Sequence, residues 1–172
     1  MPARSPLASA RPPCIVATAE VPETTFSYPD STEVHCPSRA VGKAAGLRRT
    51  GLHVERLVPG TRTSFPHAEE DEEEWAYVVS GTPSVWLDGV LYALAPGDLV
   101  AFPAGTGVCH TFLNDGDADA VLLAGGEAST PKNRIFYPLN PERRAQMPAE
   151  RWWPLEETYR RVGSHDGRPA RR

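Results

Sequence analysis

The sequence has few cysteines, no long apolar run and no large excess of either charge. Its cysteines, Cys14, Cys36 and Cys109, are odd in number and far apart. This argues against a disulfide framework and favours a reducing compartment, with the cytoplasm as the expected location. No apolar run approaches the ~20 residues that a membrane-spanning helix requires, and the N-terminal residues MPARSPLASARPPC lack the apolar region of a secretory signal. A net charge of −4 gives no electrostatic reason to expect nucleic acid as a partner.

Proline and glycine, by contrast, are frequent. The 18 prolines and 14 glycines interrupt the chain every few residues, so uninterrupted helical windows are scarce. Many short segments separated by turn signals are typical of an all-β sandwich or barrel. A chain of 172 residues is long enough for one domain with a core and short for two. We expect a disordered arm over residues 1–12, one domain over 13–162 and a flexible basic tail over 163–172.

At least eight short strands are predicted. The strongest signal is a hairpin in which Asp88 and Gly89 form a two-residue turn, because this dipeptide tolerates the positive φ that both positions need. The predicted strands are, in order, residues 15–17, 52–58, 75–79, 84–87, 90–94, 99–102, 110–113, 121–124 and 134–137. Further along, a short helix is predicted over 140–146, and Trp152 and Trp153 are expected to pack onto the β-domain.

Two stretches combine histidine with a supply of carboxylates. Residues 60–81 hold His67, an acidic run over 69–74 and then an apolar strand, and residues 97–114 hold His110. Side chains alternate between the faces of a strand, so Glu74 shares its face with the apolar Ala76.

The same parity places the two histidines beside these inward positions. An interior face that carries His67, Glu69, Glu74 and His110 would bury carboxylates, which is costly unless a cation or a pKa shift neutralises them. A divalent metal meets that need. The acids between Glu69 and Glu74 are interpreted as a solvated loop.

The first of these stretches resembles the first motif of the cupin family. That motif is Gly, five residues, His-x-His, three or four residues, Glu, six residues, Gly. Gly60, His67, Glu74 and Gly81 match it, although the first interval is one residue longer than the pattern. Glu69 stands where the family has its second histidine.

The second stretch resembles the second cupin motif, which is Gly, five residues, Pro-x-Gly, two residues, His, three residues, Asn. Gly97, Pro103, Gly105, His110 and Asn114 match it, with two extra residues in the loop before the histidine. The resemblance covers residues 52–124. It implies a cupin-type double-stranded β-helix, the jelly-roll barrel, here with a short helical C-terminal extension.

The resemblance also implies a metal site. His67, Glu74 and His110 match metal-ligand positions, and Glu69 occupies a fourth ligand position with a different donor. Two imidazoles and two carboxylates favour Mn, Fe or Zn, with Ni possible, over Cu. The alternatives are a hydrogen-bonded polar core without metal and, for Glu69, a solvated position, a catalytic base or a lapsed site.

Three functions are compatible with these residues. The preferred one is a metal-dependent enzyme acting on a small polar metabolite, a sugar-phosphate isomerase or related lyase, ahead of a dioxygenase. A non-catalytic small-molecule-binding module and a structural barrel with a dead site are the others. Glu69 could serve as general base and Arg56 could bind an anionic substrate, although a surface position is the more common fate of such an arginine. Cys109 is interpreted as an apolar filler, and a homodimer is expected.

Overall fold

The structure, a computed structural model, describes residues 11–128 and 130–170. Most of the arm predicted over residues 1–12 therefore lies outside the described residues. The strands are β1 (Ser38–Arg39), β2 (Thr50–Leu57), β3 (Ala68–Glu69), β4 (Glu74–Ser80), β5 (Ser84–Leu87), β6 (Val90–Ala93), β7 (Leu99–Phe102), β8 (His110–Leu113), β9 (Ala120–Glu127) and β10 (Ile135–Phe136). The helices are α1 (Val41–Ala44), α2 (Arg143–Gln146) and two 3₁₀ turns, Thr18–Glu20 and Ala149–Arg151.

The strands form three antiparallel sheets. The largest has the order β1-β2-β9-β4-β7, a second has the order β6-β5-β8, and β10 pairs with β3. Every predicted strand from residue 52 onward is present, with the predicted ends at 84–87, 99–102 and 110–113 and shifted ends elsewhere, whereas residues 15–17 form no strand. The fold is thus mostly strand with few helices, as the sequence predicts, and no helix in the described part of the chain is long and apolar enough to span a membrane.

The main core lies on the inward faces of these sheets. On β4, Ala76 and Val78 are 2% and 1% exposed, while Tyr77 and Val79 point outward at 41% and 51%. This alternation is the one the sequence predicts for a strand with one buried face. The cluster consists of Cys36, Leu57, Ala76, Val78, Val85, Phe102, Phe112, Ala120 and Leu122. Burying one large apolar side chain of this kind contributes roughly 1.5–3 kcal/mol.

A second core cluster joins the C-terminal extension to the sheets. Trp152 and Trp153 are buried against it together with Phe136, which confirms that the tryptophan pair packs onto the β-domain. Cys109 is fully buried in this cluster, and burial raises the pKa of its thiol well above the usual value. Its interpretation as an apolar filler is consistent with that environment.

The segment after residue 162 differs from the flexible tail expected over 163–172. In its described part, 163–170, the main-chain carbonyl of His165 accepts a hydrogen bond from Trp86 Nε1 at 2.7 Å. The carbonyl of Gly167 accepts one from Arg62 Nη1, also at 2.7 Å. Both donors are almost fully buried, so the two hydrogen bonds hold the main chain at His165 and Gly167 against the protein interior.

Two motif glycines provide a matched test of what fixes the turns. Gly60 and Gly81 both have φ of +79°, but a Cβ on Gly81 would lie 2.6 Å from Ala120 Cα, whereas one on Gly60 would meet nothing within 4 Å. We expect G60A to lower the free energy of unfolding by about 1 kcal/mol through backbone strain. G81A should cost about 2 kcal/mol, because crowding adds to the strain. Urea unfolding of the two variants checks this, and equal losses would contradict it.

Candidate metal centre

Strand pairing brings the two histidines together. His67, immediately before β3, and His110, the first residue of β8, exchange two main-chain hydrogen bonds with N–O distances of 3.1 and 2.8 Å. Residues paired in this way carry neighbouring side chains, and the two rings have a centroid separation of 4.8 Å. Glu74, the first residue of β4, extends toward them from the larger sheet.

One carboxylate oxygen lies between the two rings. Glu74 Oε2 is 3.4 Å from His67 Nε2 and 3.2 Å from His110 Nε2. Ligand atoms of all three residues fall within 4.8 Å of one another, and among the residues described no other such group occurs. Glu74 Oε2 is buried and makes no hydrogen bond of good geometry. A buried acceptor of this kind requires either a proton or a cation.

The other ring nitrogens determine what Nε2 can do. His67 Nδ1 lies 2.9 Å from the carbonyl oxygen of Phe65, and His110 Nδ1 lies 3.4 Å from that of Val108. A carbonyl can only accept, so each Nδ1 carries the hydrogen and each neutral Nε2 presents a lone pair. Metal-binding histidines are oriented in this way. Two such nitrogens converging on a carboxylate fit Mn, Fe, Ni or Zn.

Without a cation, the side chains of Glu74, His67 and His110 together bind one proton in addition to the hydrogen on each Nδ1. Burial raises the pKa of Glu74, but the close approach of His110 and His67 outweighs burial and holds that pKa well below its usual value. Burial lowers the pKa of His67, but Glu74 outweighs burial and brings the pKa to about 9. Burial lowers the pKa of His110 below its usual value. At neutral pH the metal-free centre therefore contains a carboxylate, one imidazolium at His67 and a neutral His110.

Glu69 lies near this group without belonging to it. Its Oε2 accepts a hydrogen bond of 3.0 Å from Nδ2 of Asn133, which is fully buried. Burial, with a further contribution from Glu74, raises the pKa of Glu69 to about 8. The structure thus assembles three of the four predicted ligands, and a ligand role for Glu69 stays a prediction.

The acidic residues between Glu69 and Glu74 divide into two exposed and two covered positions. Asp71 and Glu73 are exposed, as the interpretation of a solvated loop predicts. That interpretation is wrong for Glu70, which forms an ion pair with Arg134, and for Glu72, which is 5% exposed and accepts a hydrogen bond from the main-chain nitrogen of Thr130.

The three-residue group opens into a cavity of about 350 Å³. Its wall combines aromatic rings with hydroxyl groups and further carboxyl groups. Besides the candidate ligands, the lining includes Phe26, Tyr28, Glu55, Ser64, Trp75 and Tyr137. A volume of this order suits a small metabolite.

Arg56 has no place in this lining. It lies on β2, where its guanidinium pairs with Glu23 at 2.8 Å and with Asp119 at 2.9 Å. Both ion pairs keep the guanidinium of Arg56 on the side of β2 that faces away from the cavity. The predicted substrate-binding role of Arg56 therefore has no support from the geometry.

Glu55 is one of the lining residues that the sequence did not single out. It is adjacent to Arg56 but faces the cavity. Burial, together with the charge of Glu74, raises the pKa of Glu55 to about 7. A signal was present, since Glu55 shares strand parity with Leu57, which is fully buried.

Comparisons with known proteins identify a domain that contains this group of residues. Residues 53–125 match the family model described as the cupin domain. A sugar phosphate isomerase of the cupin superfamily from Silicibacter pomeroyi is 29% identical, with a TM-score of 0.65, covering 72% of this chain and 80% of its own. A proposed sugar phosphate isomerase from Acidithiobacillus ferrooxidans is 27% identical, with a TM-score of 0.67, covering 73% and 81%.

A more distant structure shares the fold. The polyketide cyclase RemF from Streptomyces resistomycificus is 22% identical, with a TM-score of 0.59, covering 80% of this chain and 94% of its own. No curated protein sequence is significantly similar to the chain. The matched region, 53–125, contains all three residues of the metal-binding group together with the strands that carry Glu74 and His110. On this domain match, residues 53–125 form a cupin domain, and the two structural neighbours near 30% identity share its fold.

Proposed function

We propose that this protein is a metal-dependent enzyme that acts on a small polar metabolite by isomerase or lyase chemistry. The observation that carries the proposal is the buried Glu74 oxygen between two imidazole Nε2 atoms, at the wall of a cavity of about 350 Å³. His67, Glu74 and His110 would hold the ion. A divalent ion in this position supplies a Lewis acid for a substrate carbonyl or hydroxyl oxygen.

Glu69 is suited to move the substrate proton. Its Oε2 accepts a hydrogen bond from Asn133, and the residue lines the cavity beside the three-residue group. A carboxyl group whose pKa is about 8 can both carry and release a proton near neutral pH, which is what general acid–base catalysis requires. Ligation by Glu69 as a fourth donor is the competing role, and it would require the side chain to leave Asn133.

The names of the two relatives near 30% identity favour isomerisation over oxidation as the reaction class. Isomerisation of a sugar through an enediol exchanges the hydrogen next to the carbonyl with solvent, whereas oxygenation consumes O2. The two reactions can therefore be distinguished by hydrogen exchange into the substrate and by consumption of O2.

Incubation of the metal-loaded protein with aldoses and ketoses in D2O tests the reaction class. We expect deuterium to enter beside the carbonyl of at least one sugar, followed by NMR, with no exchange after chelation. E69Q should retain its metal and slow the exchange on the order of 100-fold, as loss of a general acid–base group does. R56A serves as the control, since Arg56 does not line the cavity.

Two other outcomes would contradict the proposal. Oxygen uptake without deuterium exchange would assign the protein to the dioxygenases. Saturable binding without turnover of any substrate would identify a binding module.

A further inference from the structure

One aromatic ring in the cavity wall has a face free for a ligand. Phe26 is 45% exposed although it lines the cavity. It stacks on His35 with a centroid distance of 4.7 Å and an interplanar angle of 21°, and His35 is 1% exposed. Tyr28 makes an edge contact with the same ring at 5.4 Å, so the exposed part of Phe26 that remains for a ligand lies away from His35.

Tyr28, the neighbouring ring, is covered. Phe65 stacks on it at 4.2 Å, and the guanidinium of Arg143 lies 4.8 Å from its centroid. Tyr28 consequently supports the wall without offering a stacking surface of its own. Phe26 is the better platform for a flat apolar face on a ligand.

The polar part of the lining is acidic. Glu55, Glu69 and Glu127 line the cavity in addition to Glu74. Such carboxylates accept hydrogen bonds from hydroxyl groups, and a charged acceptor strengthens those bonds. Carboxyl groups bring no positive charge that would hold an anionic substituent.

Cations near the cavity are engaged elsewhere. Arg143 packs on Tyr28 and donates to Gln146 Oε1 at 2.8 Å, and Arg62 is paired with Glu33. Within residues 11–128 and 130–170, no lysine or arginine lines the cavity. Phosphate groups are ordinarily bound by arginine or lysine side chains.

We propose that the cavity binds an uncharged polyhydroxylated ring, chemically an unphosphorylated monosaccharide, which stacks on Phe26 and donates a hydroxyl hydrogen bond to Glu55. This inference rests on the proposed function and specifies its substrate class. The substrate proposed for this chain is thus unphosphorylated, unlike the sugar phosphates in the names of its two relatives. The sugar ring supplies both an apolar C–H face and hydroxyls, and this pairing matches the cavity wall.

Binding of matched sugar pairs to the Zn-loaded protein tests the inference. The pairs are fructose and fructose 6-phosphate, mannose and mannose 6-phosphate, and ribose and ribose 5-phosphate, measured by calorimetry or ligand-observed NMR. We expect the neutral member of at least one pair to bind about tenfold more tightly than its phosphate, a difference of about 1.4 kcal/mol. Tighter binding of the phosphate in every pair, or no binding of any neutral sugar, would overturn the inference.

Two variants locate the binding determinants. F26A should weaken binding of the neutral sugar about tenfold, as expected for loss of a stacking face. Y92A is its matched control, because Tyr92 is 50% exposed on β6 and does not line the cavity. E55Q should weaken binding of the neutral sugar, because an amide oxygen is a weaker hydrogen-bond acceptor than a carboxylate. Unchanged affinity of both F26A and E55Q for the neutral sugar would contradict the assigned contacts.

Metal content is measured on the same samples and keeps the two proposals apart. A protein that holds its metal but prefers phosphates refutes the substrate class alone. A protein that holds no metal refutes the proposed function.

Discussion

Replacement of Glu74 by alanine is expected to abolish stoichiometric binding of a divalent metal. Its Oε2 is the carboxylate oxygen that faces both Nε2 atoms in the described group. Loss of a direct ligand should exceed the roughly 10–100-fold loss of affinity that follows removal of an outer-sphere partner. Elemental analysis after dialysis against Mn, Fe, Ni or Zn should give about one ion per chain for the wild type and none for E74A or H67A.

A carboxylate in the same cavity provides the control. Glu127 lines the cavity outside the three-residue group, so E127A should retain its metal. E69Q should also retain it if Asn133 keeps Glu69 away from the ion. Metal-free wild type under every loading condition would refute the centre, and loss of metal in E69Q would make Glu69 the fourth ligand.

The proton at His67 adds a pH signature to the same experiment. Because its pKa in the metal-free centre is about 9, a cation must displace a proton to bind at neutral pH. Apparent affinity should rise by about tenfold per pH unit between pH 7 and 8 and level off above about 9. Calorimetry in two buffers of different ionisation enthalpy measures the released proton.

The metal-free protein should show the corresponding change in stability. The folded-state pKa of His67 lies above its unfolded value of about 6.5. Its contribution to stability is therefore fully present below about pH 6.5 and is lost as the pH rises through about 9.

Replacement of Glu33 by alanine is expected to cause a large loss of stability outside the centre. Glu33 accepts two hydrogen bonds from Arg62, at 2.6 and 2.7 Å, and the Arg62 side chain is only 2% exposed. Removing the carboxylate leaves a buried guanidinium without its counter-charge. We expect a cost of about 3 kcal/mol, which is roughly 6–12 °C in Tm for a domain of this size.

An exposed arginine–glutamate pair in the same protein serves as the comparison. Glu23 also makes two bonds to an arginine, but the side chains of Arg56 and Glu23 are 40% and 24% exposed. E23A should therefore cost less than about 1 kcal/mol. Equal losses for the two variants in thermal unfolding would contradict the argument from burial.

The stability that the buried pair of Glu33 and Arg62 contributes should also depend on pH. Burial raises the pKa of Glu33, but hydrogen bonds from Arg62 outweigh it, so the folded-state pKa lies below its usual value. The stability gained from this pair is present above the unfolded pKa of about 4.3. It should be lost as the pH falls through the lower folded-state value, where wild type and E33A converge.

Local sequence carried enough information for the strands and for three ligands. The Asp88-Gly89 turn adopts the expected positive φ values of 48° and 96°, and parity on β4 correctly separates Ala76 and Val78 from their exposed neighbours. His67, Glu74 and His110 follow from motif spacing, since each lies in or beside a strand whose register fixes its direction.

Residues that distant segments bring to the site could not be predicted from local sequence patterns. Asn133, which holds Glu69, is 64 residues away from it along the chain. Phe26 enters the cavity wall from an irregular segment before β1, where no periodicity indicates a face. The position of Arg56 was misjudged because its partners, Glu23 and Asp119, come from segments that spacing along β2 cannot locate.

The contacts of Arg62 have a practical consequence for where a recombinant fragment should be cut. This side chain binds Glu33 on one side and the carbonyl of Gly167, 105 residues away, on the other. Both partners lie outside residues 53–125, the region that matches the family model. A fragment trimmed to that region would carry Arg62 without either partner and would also lack Phe26. The segment that matches the cupin domain is therefore smaller than the unit that folds, and expression boundaries should enclose residues 23–170.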